Sequence, residues 1–262
     1  MLKNRQRAVS GLSTRGYAVR SGLKLWPGFP FRRITSAWGI ALGDHGVTLV
    51  SLGQTADREV RVQRALHLSP PAWVQASDNY HDWLVESLRE ASEQEVRRHR
   101  RLVLALPMSR CQSGQFACPA ALDADALQAE VQLEAAQHLN VPAQEVSFDF
   151  EVLAADEPSI QHVHWLACLR SEVHAWRKHT RAAGWRLPAI EHHEQAALRA
   201  ALALLGGAGN LRAQPHRDWR FSWPSPTDAA ADMAIGEALQ ALRGTPAWAW
   251  LCACGAGLRA LS

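Results

Sequence analysis

The sequence predicts an α/β fold. Strand-length runs that are apolar or alternating recur along the chain, and longer segments with apolar residues at helical spacing lie between them. Proline, glycine and asparagine mark the boundaries. With 262 residues and 47% hydrophobic content, the chain carries enough apolar surface for a real core.

Taken in order, Trp38, Ile40 and Leu42 alternate, Asp44, His45 and Gly46 suit a turn, and Val47, Leu49 and Val50 continue outward. That pattern predicts a hairpin. Glu59 to Leu68 reads as a further strand of the same sheet, closed by Pro70 and Pro71. Asp78 to Val96 places Trp83, Leu84, Leu88 and Ala91 on one helical face. Leu102 to Leu106 is a buried strand stopped by Pro107. A helix follows Asp125, taken as its cap with Gln128 at the capping-box position, and it ends at Asn140 before Pro142. Val146 to Val152 and Val163 to Leu169 read as strands, Ser171 to Ala183 as a helix closed by Gly184, and Leu187 to Ile190 as a short strand. Glu194 to Leu205 is an alanine-rich helix for which Gly206 and Gly207 form the C-cap. Residues 206–227 lack periodicity and are expected to form an irregular connection, and residues 228–262 hold one or two closing helices.

Charge is unevenly spread. Lys3, Arg5, Arg7, Arg15, Arg20, Lys24, Arg32 and Arg33 fall within residues 1–36, which hold no acidic side chain, so this arm is basic and the body mildly acidic. Such an arm is expected to be flexible and able to rest on anionic lipid. It lacks the apolar core of a secretory signal, and Ala247 to Leu258 is too short to span a bilayer, so a cytoplasmic protein is expected. Arg97, Arg98, Arg100 and Arg101 come without an aromatic platform, and no direct nucleic-acid contact is expected. Cys111, Cys118, Cys168, Cys252 and Cys254 form no CxxC pair and read as buried thiols. The 12 histidines raise a metal question. His162 and His164 share a strand face, and His192 and His193 lie beside Glu191 and Glu194, but HExxH is absent and no metal site is expected.

Several stretches, in order, resemble the PilM-like proteins of type IV pilus and DNA-uptake systems, relatives of the actin-like ATPase FtsA. Leu104 to Pro107 resembles the family's strand ending in proline, and Gln132 to Pro142 its following helix. Glu145 to Leu153 is similar to its motif "E-V-x-x-D-Y-x-V-L", Ile190 to Ala200 to its acidic helix start, and Cys254 to Arg259 to its terminal "G-L-A-L-R". The resemblance implies an actin-like first lobe with a ribonuclease H-like core, shortened as in the HofM type, with the second lobe largely missing. On this reading the lobe covers residues 37–205, with a small inserted α+β subdomain at about 107–162, and the closing helices pack back on the core.

The hairpin then aligns with the family's first phosphate loop, and the site looks degenerate. Ala41 stands where a carboxylate would work through Mg²⁺, and Asp44 would repel phosphate from the cradle framed by Gly43 and Gly46. No ATP, Mg²⁺ or enzymatic activity is therefore expected. The resemblance implies instead a scaffold, peripheral to the inner membrane, that binds the cytoplasmic N-terminal tail of a PilN-like bitopic protein and joins other inner-membrane pilus assembly proteins. The peptide would lie in a groove between core and insert, for which Leu106, Met108, Phe148 and Phe150 are the candidates. Two alternatives stand beside it: an ATP-binding actin-like assembly protein, and the cytoplasmic module of a type II secretion system.

Overall fold

The computed structural model describes residues 36–43, 46–57, 59–75, 80–93, 95–153, 159–222 and 229–261. Asp44 and all but Ser36 of the basic arm lie outside the described residues, as does the Asp78 cap.

Strands β1 (Ser36–Gly43) and β2 (Gly46–Gln54) form the expected hairpin, in register from Ser36 opposite Gly53 to Gly43 opposite Gly46. Strand β3 (Val60–Leu68) pairs antiparallel with β2. After α1 (Ala72–Gln75) and α2 (Tyr80–Glu93), β4 (Leu102–Leu106) returns parallel to β1. The chain then leaves the sheet for β5 (Gln112–Pro119), α3 (Ala124–Leu139), β6 (Val146–Leu153) and β7 (Ile160–Leu169), and comes back through α4 (Arg170–Ala182). Strand β8 (Ile190–His192) lies parallel to β4 and leads into α5 (His193–Ala203). Next come α6 (Gly207–Ala213), β9 (Arg220–Phe221), α7 (Ala229–Leu242) and α8 (Pro246–Leu261).

Two sheets result. The larger has the order β8-β4-β1-β2-β3-β9, and without the two-residue β9 it is the ribonuclease H-like arrangement expected for this chain. The smaller has the order β5-β7-β6. Strand β7 therefore belongs wholly to the insert. The expected boundary near His162 moves to Leu169, because β7 pairs along its whole length with β5 on one side and β6 on the other.

Alternation along β1 decides the layers. Trp38, Ile40 and Leu42 bury against Leu84 and Leu88 of α2 and Val173 and Trp176 of α4. The Trp185 indole N–H, on the same side, donates to the Leu88 carbonyl at 2.8 Å. Ala37 and Ala41 face the other way, toward Ala196, Ala197 and Ala200 of α5 and Leu251 to Cys254 of α8. Small residues let this second face pack backbone against backbone. A Cβ at Gly39 would overlap the Ala253 carbonyl and the Gly257 amide, and one at Gly255 would overlap the Ala196 carbonyl.

Helix α3 is capped two residues earlier than its expected start. Its cap is Asp123, whose carboxylate accepts the Ala126 N–H at 2.8 Å, while Asp125 already sits in the first turn. Asn140 takes the left-handed exit at φ 53° as expected. The larger correction concerns residues 206–227. Gly206 (φ 83°) turns the chain into α6, and Leu211, Trp219 and Phe221 are buried, so the residues described here are ordered rather than irregular. Their tie to the core is direct: the Leu205 N–H donates to Arg220 and the Ser222 N–H to Ala203, both at 2.8 Å.

Substituting Gly39→Ala must push α8 off β1, and we expect a loss of about 3 kcal/mol in urea unfolding, within the range of overpacked cores. Asp123→Ala, which removes only a cap, should cost about 1 kcal/mol in the same assay.

Candidate functional site

Strands β1, β4 and β8 are mutually parallel in sequence along the sheet, so Gly43, Leu106 and His192 end at one edge. Ligands of open α/β sheets bind outside such carboxyl ends. The insert departs from this edge at Pro107, and β7 brings the chain back to it at Leu169.

The small sheet has one closed and one open face. Val163, Trp165 and Ala167 of β7 pack with Phe148 and Phe150 beneath Leu127, Val131 and Ala135 of α3. On the opposite face of β7, burial grows toward the core: His162 is exposed, His164 and Leu166 are half-buried, and Cys168 is buried. This face therefore diverges from the body as a wedge. Beside it on β6 lie Ser147, Asp149 and Glu151, the last paired with the His164 imidazole at 3.1 Å. At the apex Cys111 and Cys168 are buried, and Leu166 packs with Leu106 and Ile190 in the same cluster. Burial raises the Cys111 thiol to about 12 and the Cys168 thiol to about 11, so both are protonated and unreactive near neutrality.

Polar groups fix the body side of the wedge. Glu191 has a fully buried side chain that accepts from Arg199 at 2.7 Å and Arg259 at 3.1 Å. Arg199 also donates to the Gly255 carbonyl at 3.1 Å, so one carboxylate ties β8, α5 and α8 together. Burial raises the Asp149 carboxyl above its usual range, opposed by the Phe150 N–H and the Arg259 charge. Arg243 pairs with Glu194 at 2.7 Å, and Arg110 with Glu172 at 2.7 Å beside the neck. His192 is buried, and its Nδ1 accepts the Glu194 backbone N–H at 3.3 Å as the cap of α5.

The expected site residues divide accordingly. Met108 stands exposed at the exit to the insert, whereas Leu106 is 1% exposed and belongs to the core. Phe148 and Phe150 face α3, away from the open face, because alternation on β6 turns Asp149 and Glu151 toward the wedge instead. Ala41 is fully buried among α5 and α8 residues, and Gly43 is exposed at the hairpin tip. Gly46 has a structural reason of its own: a Cβ there would overlap the Leu68 carbonyl of β3. The ion triad was not legible, since Arg259 lies 68 residues from Glu191. Among the described residues no cluster of three His, Cys, Asp or Glu side chains is placed to hold a metal ion.

Residues 39–206 match the model of a family described as type IV pilus assembly protein PilM. The chain belongs to that family. Among solved structures, a PilM–PilN type IV pilus biogenesis complex aligns with TM-score 0.53 and 20% identity, over 65% of this chain and 52% of that one. The chain thus shares the PilM fold and spans about half the length of that relative. The cytoplasmic domain of EpsL, an inner-membrane component of the Vibrio cholerae type II secretion system, aligns with TM-score 0.41 and 15% identity, over 62% of this chain and 57% of that one. A Bacteroides thetaiotaomicron protein with an actin-like ATPase fold aligns with TM-score 0.34 and 7% identity, over 65% and 58% of the two chains. No curated protein sequence matches. In this PilM-family chain no helix among the described residues is long and apolar enough to cross a membrane.

Glu191→Ala would leave two arginines without their shared carboxylate. Because both keep some solvent access, we expect a loss of about 3 kcal/mol in urea unfolding, at the low end for a broken buried ion pair.

Proposed function

We propose that this PilM-family chain is a non-enzymatic scaffold on the cytoplasmic side of the inner membrane. It binds the N-terminal tail of a PilN-like bitopic protein within a type IV pilus-like or DNA-uptake assembly. The observation that supports the reading is the missing acidic side chain of the first phosphate loop. Position 41 holds a methyl group instead of a carboxylate, and that methyl is fully buried against the chain's own helices. A hydrated Mg²⁺ would find no carboxylate at that position.

The wedge between insert and body supplies the complementary half of the proposal. The solved relative is a PilM bound to PilN. In the present chain the open face of β5-β7-β6 would receive an extended segment beside Asp149, Glu151, His164 and the half-buried Leu166. The basic arm would add contact with anionic lipid headgroups.

The test is fluorescence anisotropy of the full chain against a labelled peptide from the N-terminal tail of the bitopic membrane protein encoded beside it, with and without Mg-ATP. Saturable binding with the same Kd in both conditions is the expected result. Binding seen only with Mg-ATP would overturn the scaffold reading in favour of a working nucleotide site.

A further inference from the structure

An open pocket of about 600 Å³ lies at the end of the large sheet opposite the wedge. It is lined by Arg61 of β3, Arg220 of β9, Gln214, and Arg217 from the 3₁₀ turn His216–Asp218, with Asp218 the one acidic residue on its wall. Leu205, 41% exposed, contributes apolar surface. Arg61 and Arg220 are register partners, so their side chains leave the same face of the β3–β9 pair. Both reach the Glu59 carboxylate through Nε, at 2.7 Å and 3.7 Å. Arg217 makes no ion pair among the described residues. Three guanidinium groups therefore meet two carboxylates, Glu59 and Asp218, and the pocket keeps a positive charge.

The wall that carries Arg217 is preformed. His216 stacks on Trp250 of α8 with ring centres 4.0 Å apart and planes 2° apart. Trp219 is 2% exposed, and its indole N–H donates to the Gln214 carbonyl at 3.2 Å. Register fixes what lies beside the pocket. Ser36 stands opposite Gly53, Gly53 opposite Arg61, and Arg61 opposite Arg220, one row across four strands. At a strand spacing of about 4.8 Å, Arg61 is about 10 Å from the residue where the basic arm joins the sheet. The segment that carries Lys24, Arg32 and Arg33 is thus attached in the same row as the pocket.

We propose that this pocket binds the phosphate of an anionic lipid headgroup, and that the row from Ser36 to Arg220 is the edge the protein turns toward the bilayer. Guanidinium groups suit phosphate because each can present two N–H donors to two oxygens, and Arg61 and Arg220 already converge on one oxyanion. A lone phosphate would fill little of the pocket, whereas a headgroup brings an organic part to Leu205. The attached basic arm suits a surface of many phosphates better than a single ion. The eight residues of β1, about 27 Å, separate this row from the wedge, a span that about eight extended residues of a membrane-anchored tail would cover. The proposal adds a defined contact to that of the arm and does not depend on peptide binding.

The test is co-sedimentation of the full chain with phosphatidylcholine vesicles, with and without about 30% phosphatidylglycerol. Wild type should bind only the anionic vesicles. Arg217→Gln breaks no ion pair, so it should weaken that binding about fivefold, the worth of one basic side chain at an anionic surface, and leave Tm unchanged. Arg177→Gln removes the same charge from the exposed side of α4, across the sheet, and should stay within about twofold of wild type because its charge is screened at that distance. If Arg217→Gln binds anionic vesicles as wild type does, the arm alone makes the contact and the pocket proposal falls. It falls too if Arg177→Gln weakens binding equally, since net charge then decides. Wild type that ignores anionic vesicles overturns the membrane assignment; if inorganic phosphate then raises the Tm of wild type and not that of Arg217→Gln, the ligand is a soluble phosphate instead. The peptide assay contains no lipid, so its outcome is separate from all of these.

Discussion

The contact on which most of this structure depends is the approach of helix α8 to strand β1 with no side chain between them. Gly39 permits it from the strand, and Gly257 and Ala253 from the helix. Backbone contact at this range is unforgiving, since close-packed interiors do not absorb even one added methyl without displacement. Once α8 is seated, the rest of that layer follows. Gly255 draws α5 against it through the Ala196 carbonyl, and Arg259, one turn further on, reaches the buried carboxylate of Glu191. A single helix therefore packs across β1, β2 and β4 and reaches the edge strand β8 through Arg259.

That lock also explains the character of the junction. Glu191 could not be buried alone, because an isolated carboxylate in a low-dielectric site is too costly, and two guanidinium groups share it instead. Those arginines are consequently committed to structure and are not free to recruit an anion. The same holds for Arg243 on Glu194. What the open face of β7 has left is the half-buried Leu166 beside the paired His164 and Glu151.

Much of the fold could be read from the sequence because its signals are local. Trp38, Ile40 and Leu42 announce β1 by alternation, and Asn140 announces the end of α3 by its tolerance of the left-handed region. The errors arose where the deciding term is not local. Asp123 and Asp125 are equally good caps by type, and only the extended backbone at Asp123 selects between them. Trp219 and Phe221 carry no period in a stretch rich in glycine, proline and arginine, yet tertiary burial and the edge of β3 give them a place. For the site, alternation on β6 was visible, but which face α3 would cover was not. That missing fact moved Phe148 and Phe150 from the wedge into the insert's own core.

The stretch after α5 bears on how the remaining apolar face of this sheet is covered. A sheet with helices on only part of one face would leave a broad apolar surface in water, and such surfaces drive association. Here α6, β9 and α7 take up that surface. Leu211, Trp219, Phe221, Ile235 and Ala238 are all buried in the same cluster as Val60, Val50 and the alanines of α5. The chain thereby closes its own core with short elements whose backbone is paired to β3 and to the end of α5. That face is therefore filled by packed side chains of the chain's own elements. The open wedge at the insert is then the surface of the described body that diverges from its core, and it lies at the carboxyl ends of the parallel strands where the fold gathers its polar groups.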